Sequence, residues 1–418
     1  MNKSFQAIKG TKDLLPVDTA RWREFEVVIH ETMNQWGFGE IRTPIFEKTE
    51  LFSRSVGEES DIVSKQMYTF TDQSDTSLTL RPELTAPTMR AYIQHNMARE
   101  GALTKLYYMD TLFRQERPQA GRLRQFNQFG AEAIGSPHPE QDAEVIALVC
   151  AILNKLGVAN LTVLVNTVGS SESRERYRSE LVNFLTPLKN ELSETSRKRL
   201  KSNPLRILDT KDKKEVALLS DAPDILNSLN SEDLHHFEKV QGFLNELGIA
   251  HKCSNKLVRG LDYYTRTTFE ITSPDVGAQN ALCGGGRYDE LIEQLGGKPT
   301  PAVGFAAGIE RIMLALGKKQ DQTTEKVTVY IVTASESAVD SLFRLANELR
   351  QNGISTSFDT LRRSVKAQMR EANRLTATHA VIVGDEEIAD SSAKVKNLKT
   401  GEQNAISMSD LVSHLKSL

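Results

Sequence analysis

Residues 318–326, KKQDQTTEK, contain no side chain that a core could use, and the pattern of the chain changes across them. After this linker, strand-like and helix-like segments alternate cleanly. Residues 327–333 read as a strand, 335–351 as a helix, 354–358 as a strand, 364–375 as a helix and 379–383 as a strand. Two polar-alternating strands and a terminal helix complete the series. Such βαβ alternation over about 90 residues predicts a small α/β domain of its own, residues 327–418. Residues 1–320 precede it, and at roughly 150 residues per domain the chain divides into two or three domains.

The first part has a different character. Residues 19–36 read as an amphipathic helix, with Trp22, Phe25, Ile29, Met33 and Trp36 at spacings of three and four. Asp18 or Thr19 can cap its start and Gly37 can end it. A short strand at 39–42 and a hairpin at 66–72 and 77–81 follow, then a helix from 87 to 98. A second hairpin is more informative. Residues 105–114 and 124–134 read as strands joined by QERPQAGRL, which holds Glu116, Arg117 and Arg122. A period of two puts Phe126, Gln128, Gly130 and Glu132 on one face, either a ligand surface or an exposed sheet face. Residues 170–235 are helix-prone. Strand-like pieces resume at 257–272 and 279–283, and residues 304–316 read as a last helix. On it, Gly304, Ala307, Gly308, Arg311 and Ala315 would share one face, with Ile309, Ile312, Met313 and Leu316 on the other.

Several function classes are excluded early. An apolar fraction of 39% with 26% charged residues is not that of a disordered chain. No apolar run reaches about 18 residues, so no membrane association is expected. The polar N-terminal stretch is unlike a signal peptide, and Cys150, Cys253 and Cys283 have no CxxC spacing, so a cytoplasmic protein with free thiols is expected. No cluster has zinc spacing, hence no protein-held metal is expected, and His235-His236 in its charged surroundings reads as surface. Gly296-Gly297-Lys298 ends like a P-loop but lacks its first glycine. What stands out is arginine in polar, β-rich contexts: Arg81, Arg114, Arg259 and Arg311. Each can serve a structural salt bridge or a phosphate.

These residues carry a resemblance. GFGEIRTP after the first helix, KLYYMDTLFRQERPQAGRLRQFNQFGAE and AVGFAAGIERIMLAL resemble motifs 1, 2 and 3 of class II aminoacyl-tRNA synthetases. LVRGLDYYTRTTFE and ALCGGGRYDELIEQLGG are similar to signatures of the histidyl-tRNA synthetase family, and the resemblance covers essentially the whole chain. It implies an α+β fold: a six-stranded antiparallel β-sheet catalytic core flanked by helices (residues 1–320), a helical insertion at about 170–235, and a C-terminal α/β anticodon-binding domain. It implies the activation of L-histidine with ATP and Mg2+ to histidyl-adenylate, then transfer to the 3′-terminal adenosine of tRNA(His), by a homodimer built around motif 1.

Roles follow from the resemblance, position by position. Arg114 would contact the ATP α-phosphate, Glu116 the adenine amino group and Arg311 the γ-phosphate. Arg259 would stabilise charge at the α-phosphate during adenylate formation. Glu83, Thr85 and Gln128 would hold the histidine ammonium and carboxylate. Glu132 and Tyr264 would bond the imidazole, with Tyr263 nearby. Gln119 and Arg124 would face the tRNA acceptor end. The family often has glycine where Leu84 stands here, and a strand would point Leu84 away from the ligand.

Three rivals are weighed. A regulatory paralogue of histidine biosynthesis would lack the C-terminal domain and the Arg259 motif, and a sensor pseudo-synthetase would lack motif residues. A class II synthetase for proline, threonine or glycine would lack LVRGLDYY and Glu132. The net charge of −3 argues at first against nucleic acid, yet it hides local stripes. Residues 197–214 hold eight basic and two acidic residues, 112–126 four against one, and 361–374 five against one. All three stripes fall in regions that the resemblance turns toward tRNA.

Overall fold

The computed structural model describes residues 5–57, 60–99, 101–208, 210, 212–255, 257, 261, 263–276, 280–317 and 328–418. The chain divides into two compact units, Met1–Lys319 and Gln320–Leu418. The first opens with the helix Pro16–Gln35. Its start is set by Pro16, whose fixed φ and missing N–H suit a first turn, and not by a side-chain cap from Asp18 or Thr19. Gly37, at φ +77°, ends it as expected. Phe25, Ile29 and Met33 form its buried stripe.

Next come β1 (Gly39–Glu40) and a small antiparallel sheet of β2 (Phe46–Lys48), β3 (Tyr68–Thr71) and β4 (Ser77–Leu80). The main sheet adds β5 (Thr104–Phe113), β6 (Gln125–Ile134), β7 (Thr162–Thr167), β8 (His251–Cys253), β9 (Thr265–Thr272), β10 (Ala281–Arg287) and β11 (Ala302–Gly308). Its order is β1-β5-β6-β11-β10-β9-β7-β8. The six strands from β5 to β7 are antiparallel neighbours, the expected six-stranded core. The short strands β1 and β8 extend it at each edge, both parallel, to eight strands.

The expected helix at 304–316 needs correction. Residues up to Gly308 belong to β11, in the middle of the sheet, and the helix is Ile309–Ala315. Val303, Phe305 and Ala307 of β11 lie in one core cluster, while Gly304, Ala306 and Gly308 line the opposite face. That is a period of two. A short run of glycine and alanine fits either periodicity, so spacing alone does not separate them.

The sheet has a core on each face. On one, Phe129, Phe269 and Phe305 pack with the helices Pro16–Gln35, Pro139–Lys155 and Ser231–Glu246. On the other, Ile134, Tyr263, Tyr264 and Tyr288 pack with Tyr177, Leu181, Leu205 and Ile207 from the helical stretch between 171 and 228. His236 is buried on Ser231–Glu246, contrary to the surface reading, and its Nε2 lies 2.8 Å from Asp142 Oδ2. Cys150 and Cys283 are buried free thiols and Cys253 is an exposed one.

The second unit has β12 (Thr328–Thr333), β13 (Ser355–Phe358), β14 (His379–Val383), β15 (Ser392–Asn397) and β16 (Gln403–Ser407) in the order β13-β12-β14-β15-β16. The first three are parallel and the last two antiparallel additions. Parallel neighbours need crossovers, here the helices Val339–Gln351 and Val365–Arg374. A one-turn helix, Asp385–Ala389, has no counterpart in the sequence reading.

Arg287 ties the first unit together. It is fully buried, and its Nε donates to Asp142 Oδ1 at 3.0 Å. The rest of the guanidinium reaches Asp289 and the carbonyl oxygens of Ser136 and His138. Removing one partner of a buried pair leaves the other charge uncompensated. Arg287→Ala should therefore lose about 3–5 kcal/mol, read as a lower urea midpoint for the unfolding of this unit.

Candidate active site

β6, β10 and β11 floor a cleft of about 680 Å³, large enough for a nucleotide-sized ligand. Its deepest polar group is Glu132 on β6, which is fully buried. Thr85 Oγ1 and Tyr108 OH each donate to Glu132 Oε1 at 2.9 Å, and Tyr288 OH donates to Oε2. Gly304 on β11 lies opposite Glu132, where a Cβ would sit 1.7 Å from Oε2. Only glycine leaves room for this carboxylate. Burial pushes the Glu132 carboxyl up to about 7, against the pull of the hydroxyl donors.

Glu83 is the second buried carboxylate. It accepts the backbone N–H of Thr85 at 2.7 Å and of Ala86 at 3.0 Å, so it holds the start of the helix Thr85–Gln94. Burial pushes its carboxyl up to about 7 as well, opposed by those N–H donors and by Arg114. Leu84 does not sit on a strand; it adopts a helical conformation at the entry to this helix. Its side chain still turns from the cleft floor into a small cluster with Tyr108 and Leu112.

Tyr263, Tyr264 and Tyr288 form a triad of rings with centroids 4.7, 5.4 and 6.4 Å apart. Tyr264 lies over Gly286, where a Cβ would come within 2.8 Å of its ring. Of the three, Tyr288 is the one bonded to Glu132.

Arginines crowd the other end. Arg114 donates from Nε to the Pro82 carbonyl oxygen at 2.8 Å and stacks over Phe126 at 5.2 Å. Glu116 lies 3.9 Å from Arg114 and 3.5 Å from Arg122. Arg311 donates to the carbonyl oxygens of Gly121 at 3.1 Å and Ala281 at 2.9 Å. Burial lowers the Arg114 pKa, with Arg122 and Arg311 adding like charge. Glu310 accepts the backbone N–H of Asn127 at 2.9 Å and its side-chain amide at 3.0 Å, which fixes the last helix to β6.

The structure thus brings together Glu83, Thr85, Arg114, Glu116, Gln128, Tyr263, Tyr264 and Arg311 around one cleft, with Glu132 beneath it. Gln119 and Arg124 lie in and after the loop that joins β5 to β6. Gln119 bridges Arg122 across its turn, and the Arg124 stem packs on Gly10. Arg259 lies outside the described residues. Arg81 is not at the cleft at all: it is fully buried against Asp110 and the carbonyl oxygens of Thr111 and Thr43. Tyr108, Tyr288, Arg122 and Glu310 were missed as site residues although all four lie inside the quoted motifs. The β5 alternation that puts Tyr108 beside Gly130 on β6 was the available signal. Among the described residues, no group of three or more His, Cys, Asp or Glu could hold a metal by itself. No described helix is long and apolar enough to cross a membrane.

Comparison with known proteins agrees with this geometry. Residues 10–312 match the model of the histidyl-tRNA synthetase family, and residues 327–418 match an anticodon binding domain. A histidine–tRNA ligase of Chloroherpeton thalassium is 46% identical over 99% of this chain and 98% of its own, and one of Picosynechococcus is 44% identical over 99% and 97%. The crystal structure of apo Staphylococcus aureus histidyl-tRNA synthetase superposes with a TM-score of 0.85 at 39% identity, over 99% of this chain and all of that one. With the three class II motifs meeting at one cleft on an antiparallel sheet, and a C-terminal anticodon-binding domain, the chain belongs to the histidyl-tRNA synthetase family.

Proposed function

We propose that this chain is a histidine–tRNA ligase, and the observation that carries the reading is the pairing of Glu132, caged by hydroxyls, with the arginines across the cleft. Histidine binds first at the buried end. Glu132 takes an imidazole N–H, with Tyr264 on the ring and Tyr263 nearby. Glu83, Thr85 and Gln128 hold the ammonium and carboxylate. A buried acceptor built for an N–H donor is left unmatched by an apolar side chain, and such sites discriminate by about 10⁴–10⁵.

Activation joins the histidine carboxylate to the ATP α-phosphate as pyrophosphate leaves. Negative charge crowds both reactants, so fixed cations and alignment carry the step without a strong base. Arg114 takes the α-phosphate, stiffened by its stacking on Phe126 and its bond to Pro82. Arg259 completes the charge there, Arg311 takes the γ-phosphate and Glu116 the adenine amino group. Glu116 is shared by Arg114 and Arg122 in this structure, so nucleotide binding exchanges those ion pairs for phosphate contacts.

A Mg2+ ion arriving with ATP needs only one or two carboxylates beside the phosphates, and Glu270 and Glu310 line the cleft. When bound there it would neutralise charge on the departing pyrophosphate. In the second half-reaction the tRNA(His) 3′-terminal adenosine displaces AMP, with Gln119 and Arg124 facing the acceptor end. On this reading residues 1–320 are the catalytic core, about 170–235 its helical insertion, and 327–418 the anticodon-binding domain.

The working form is read as a homodimer through motif 1. Val27, Ile45, Phe46 and Phe70 are large apolar side chains left exposed on the N-terminal unit, and Phe46 and Phe70 stack edge to face at 6.5 Å. Sedimentation equilibrium should give twice the chain mass of 46.6 kDa; a monomer at micromolar concentration would remove this part of the reading.

Among all amino acids, histidine should drive ATP–pyrophosphate exchange in the purified protein most strongly. No exchange with histidine, or more with another amino acid, defeats the assignment. The two carboxylates add a pH dependence. Both are pushed up to about 7, so the free site gains protons as the pH falls from 8 to 6. Donors on histidine need the ionised forms, so the KM for histidine should rise over that range. The pair titrates as a unit, and Glu132→Gln should remove one of the two steps from the profile.

A further inference from the structure

A second group of cations lines the cleft, and the activation chemistry leaves it without a task. Arg199 lies on the helix Glu194–Ser202 and Arg206 on the 3₁₀ turn Pro204–Ile207, both within the helical stretch between 171 and 228. Both face the cleft beside Asp61 and Gln66. The turn is held in place from below. Leu205 and Ile207, on either side of Arg206, are buried in the cluster that contains Tyr263 and Tyr264. Arg206 itself is 8% exposed. Arg199 donates from one terminal nitrogen to the Arg206 carbonyl oxygen at 3.1 Å, and its other lies 3.9 Å from Asp61 Oδ2. Lys65 Nζ lies 3.0 Å from Asp61 Oδ1. Burial alone would push the Asp61 carboxyl up, but Lys65, Arg199 and Arg206 together hold it below the ordinary carboxylate range.

The two cation groups are separate. Arg114 is influenced by Arg122 and Arg311, while Asp61 gathers Lys65, Arg199 and Arg206. Arg311 reaches the carbonyl oxygen of Ala281, where β10 begins. Tyr264 covers Gly286 near the end of the same strand, and Arg174 of the helical stretch donates to the Tyr264 carbonyl oxygen at 2.9 Å. Five residues of strand, roughly 17 Å at about 3.4 Å each, separate these ends. The first group suffices for a triphosphate. The second is therefore available to a different phosphate.

The geometry points to Arg199 and Arg206 as positioning residues for aminoacyl transfer, holding a phosphodiester of the tRNA 3′ strand where it enters the cleft. This rests on reading the chain as a tRNA ligase. In that step a ribose hydroxyl oxygen of the terminal adenosine forms an ester bond to the histidine carbonyl carbon. The bond from that carbon to the AMP phosphate oxygen breaks, and AMP leaves with the electron pair and takes up the hydroxyl proton. Neither arginine touches the reacting atoms. They set the reach and angle of the strand, with the guanidinium fork suited to two phosphate oxygens at once. Asp61 occupies the pair until the strand arrives. Its pairing with Arg199 is partly exposed and loose, so a phosphodiester displaces it at small cost.

Phosphate could come from the ATP tail or from the tRNA backbone, and two assays on the full chain separate them. ATP–pyrophosphate exchange needs no tRNA. Single-turnover transfer from preformed histidyl-adenylate needs no ATP. Arg199→Gln and Arg206→Gln should each keep exchange within about two-fold of the parent and slow transfer at least ten-fold. The salt dependence of tRNA affinity should also lose a slope of roughly 0.7 per contact removed. A parallel fall in exchange and transfer would assign the pair to the ATP tail and overturn the proposal. Unchanged transfer in both variants would reduce the pair to an ion pair with Asp61 and overturn it equally. Arg199 is partly exposed on its helix, so its variant reports even if Arg206→Gln lowers the thermal midpoint. Failure of the parent chain to exchange with histidine would instead remove the ligase reading itself.

Discussion

A carboxylate buried without partners is among the costliest groups a fold can contain, and Glu132 is buried in the middle of the main sheet. The structure around it follows from making that burial tolerable. Hydrogen bonds to a charged group contribute about 1.5–3 kcal/mol each, and three hydroxyls converge on this one. They come from the start of a helix, from β5 and from the end of β10, so three separate elements are registered on one side chain. Gly304 must be glycine for the same reason. The hydroxyls offset the burial only in part, since the carboxyl is still pushed up to about 7. A ligand that supplies one more N–H donor tips the balance toward the ionised form. Recognition is thus built into the discomfort of the unliganded site.

Much of this was legible in the sequence, and what was not has identifiable causes. The alternation after residue 327 gave the order of elements in the second unit, because period two and period 3.6 are well separated over long segments. The hairpin of β5 and β6 was readable for the same reason, and Glu132 was visible as a polar residue on a strand face otherwise apolar in its surroundings. β11 was misread because its small residues answer to a neighbour in space, Glu132, and not to their own periodicity. His236 was misread because its partner Asp142 is far away in sequence. Arg81 shows the same limit from the other side. A buried arginine that secures carbonyl oxygens and one that awaits a phosphate have the same local sequence context.

Charge arithmetic illustrates what pairing does to a count. The stripe at 361–374 carries five basic residues, yet Arg362 pairs with Glu336, Arg363 with Asp359 and Glu371, and Arg374 with Glu371. In the hairpin loop, Glu116 is shared by Arg114 and Arg122. In the helical stretch, Asp61 faces Arg199 and Lys198 pairs with Glu194. Each stripe is therefore muted by carboxylates held within a few ångströms. Exposed pairs of this kind contribute about 0–1 kcal/mol, far less than a bidentate contact to phosphate in a partly dry cleft. A chain of net charge −3 can then avoid polyanions at random and still engage one whose phosphates arrive in the right places together. The selectivity comes from simultaneity: exchanging one surface pair for one phosphate gains little, whereas exchanging several at once requires a ligand with the matching shape.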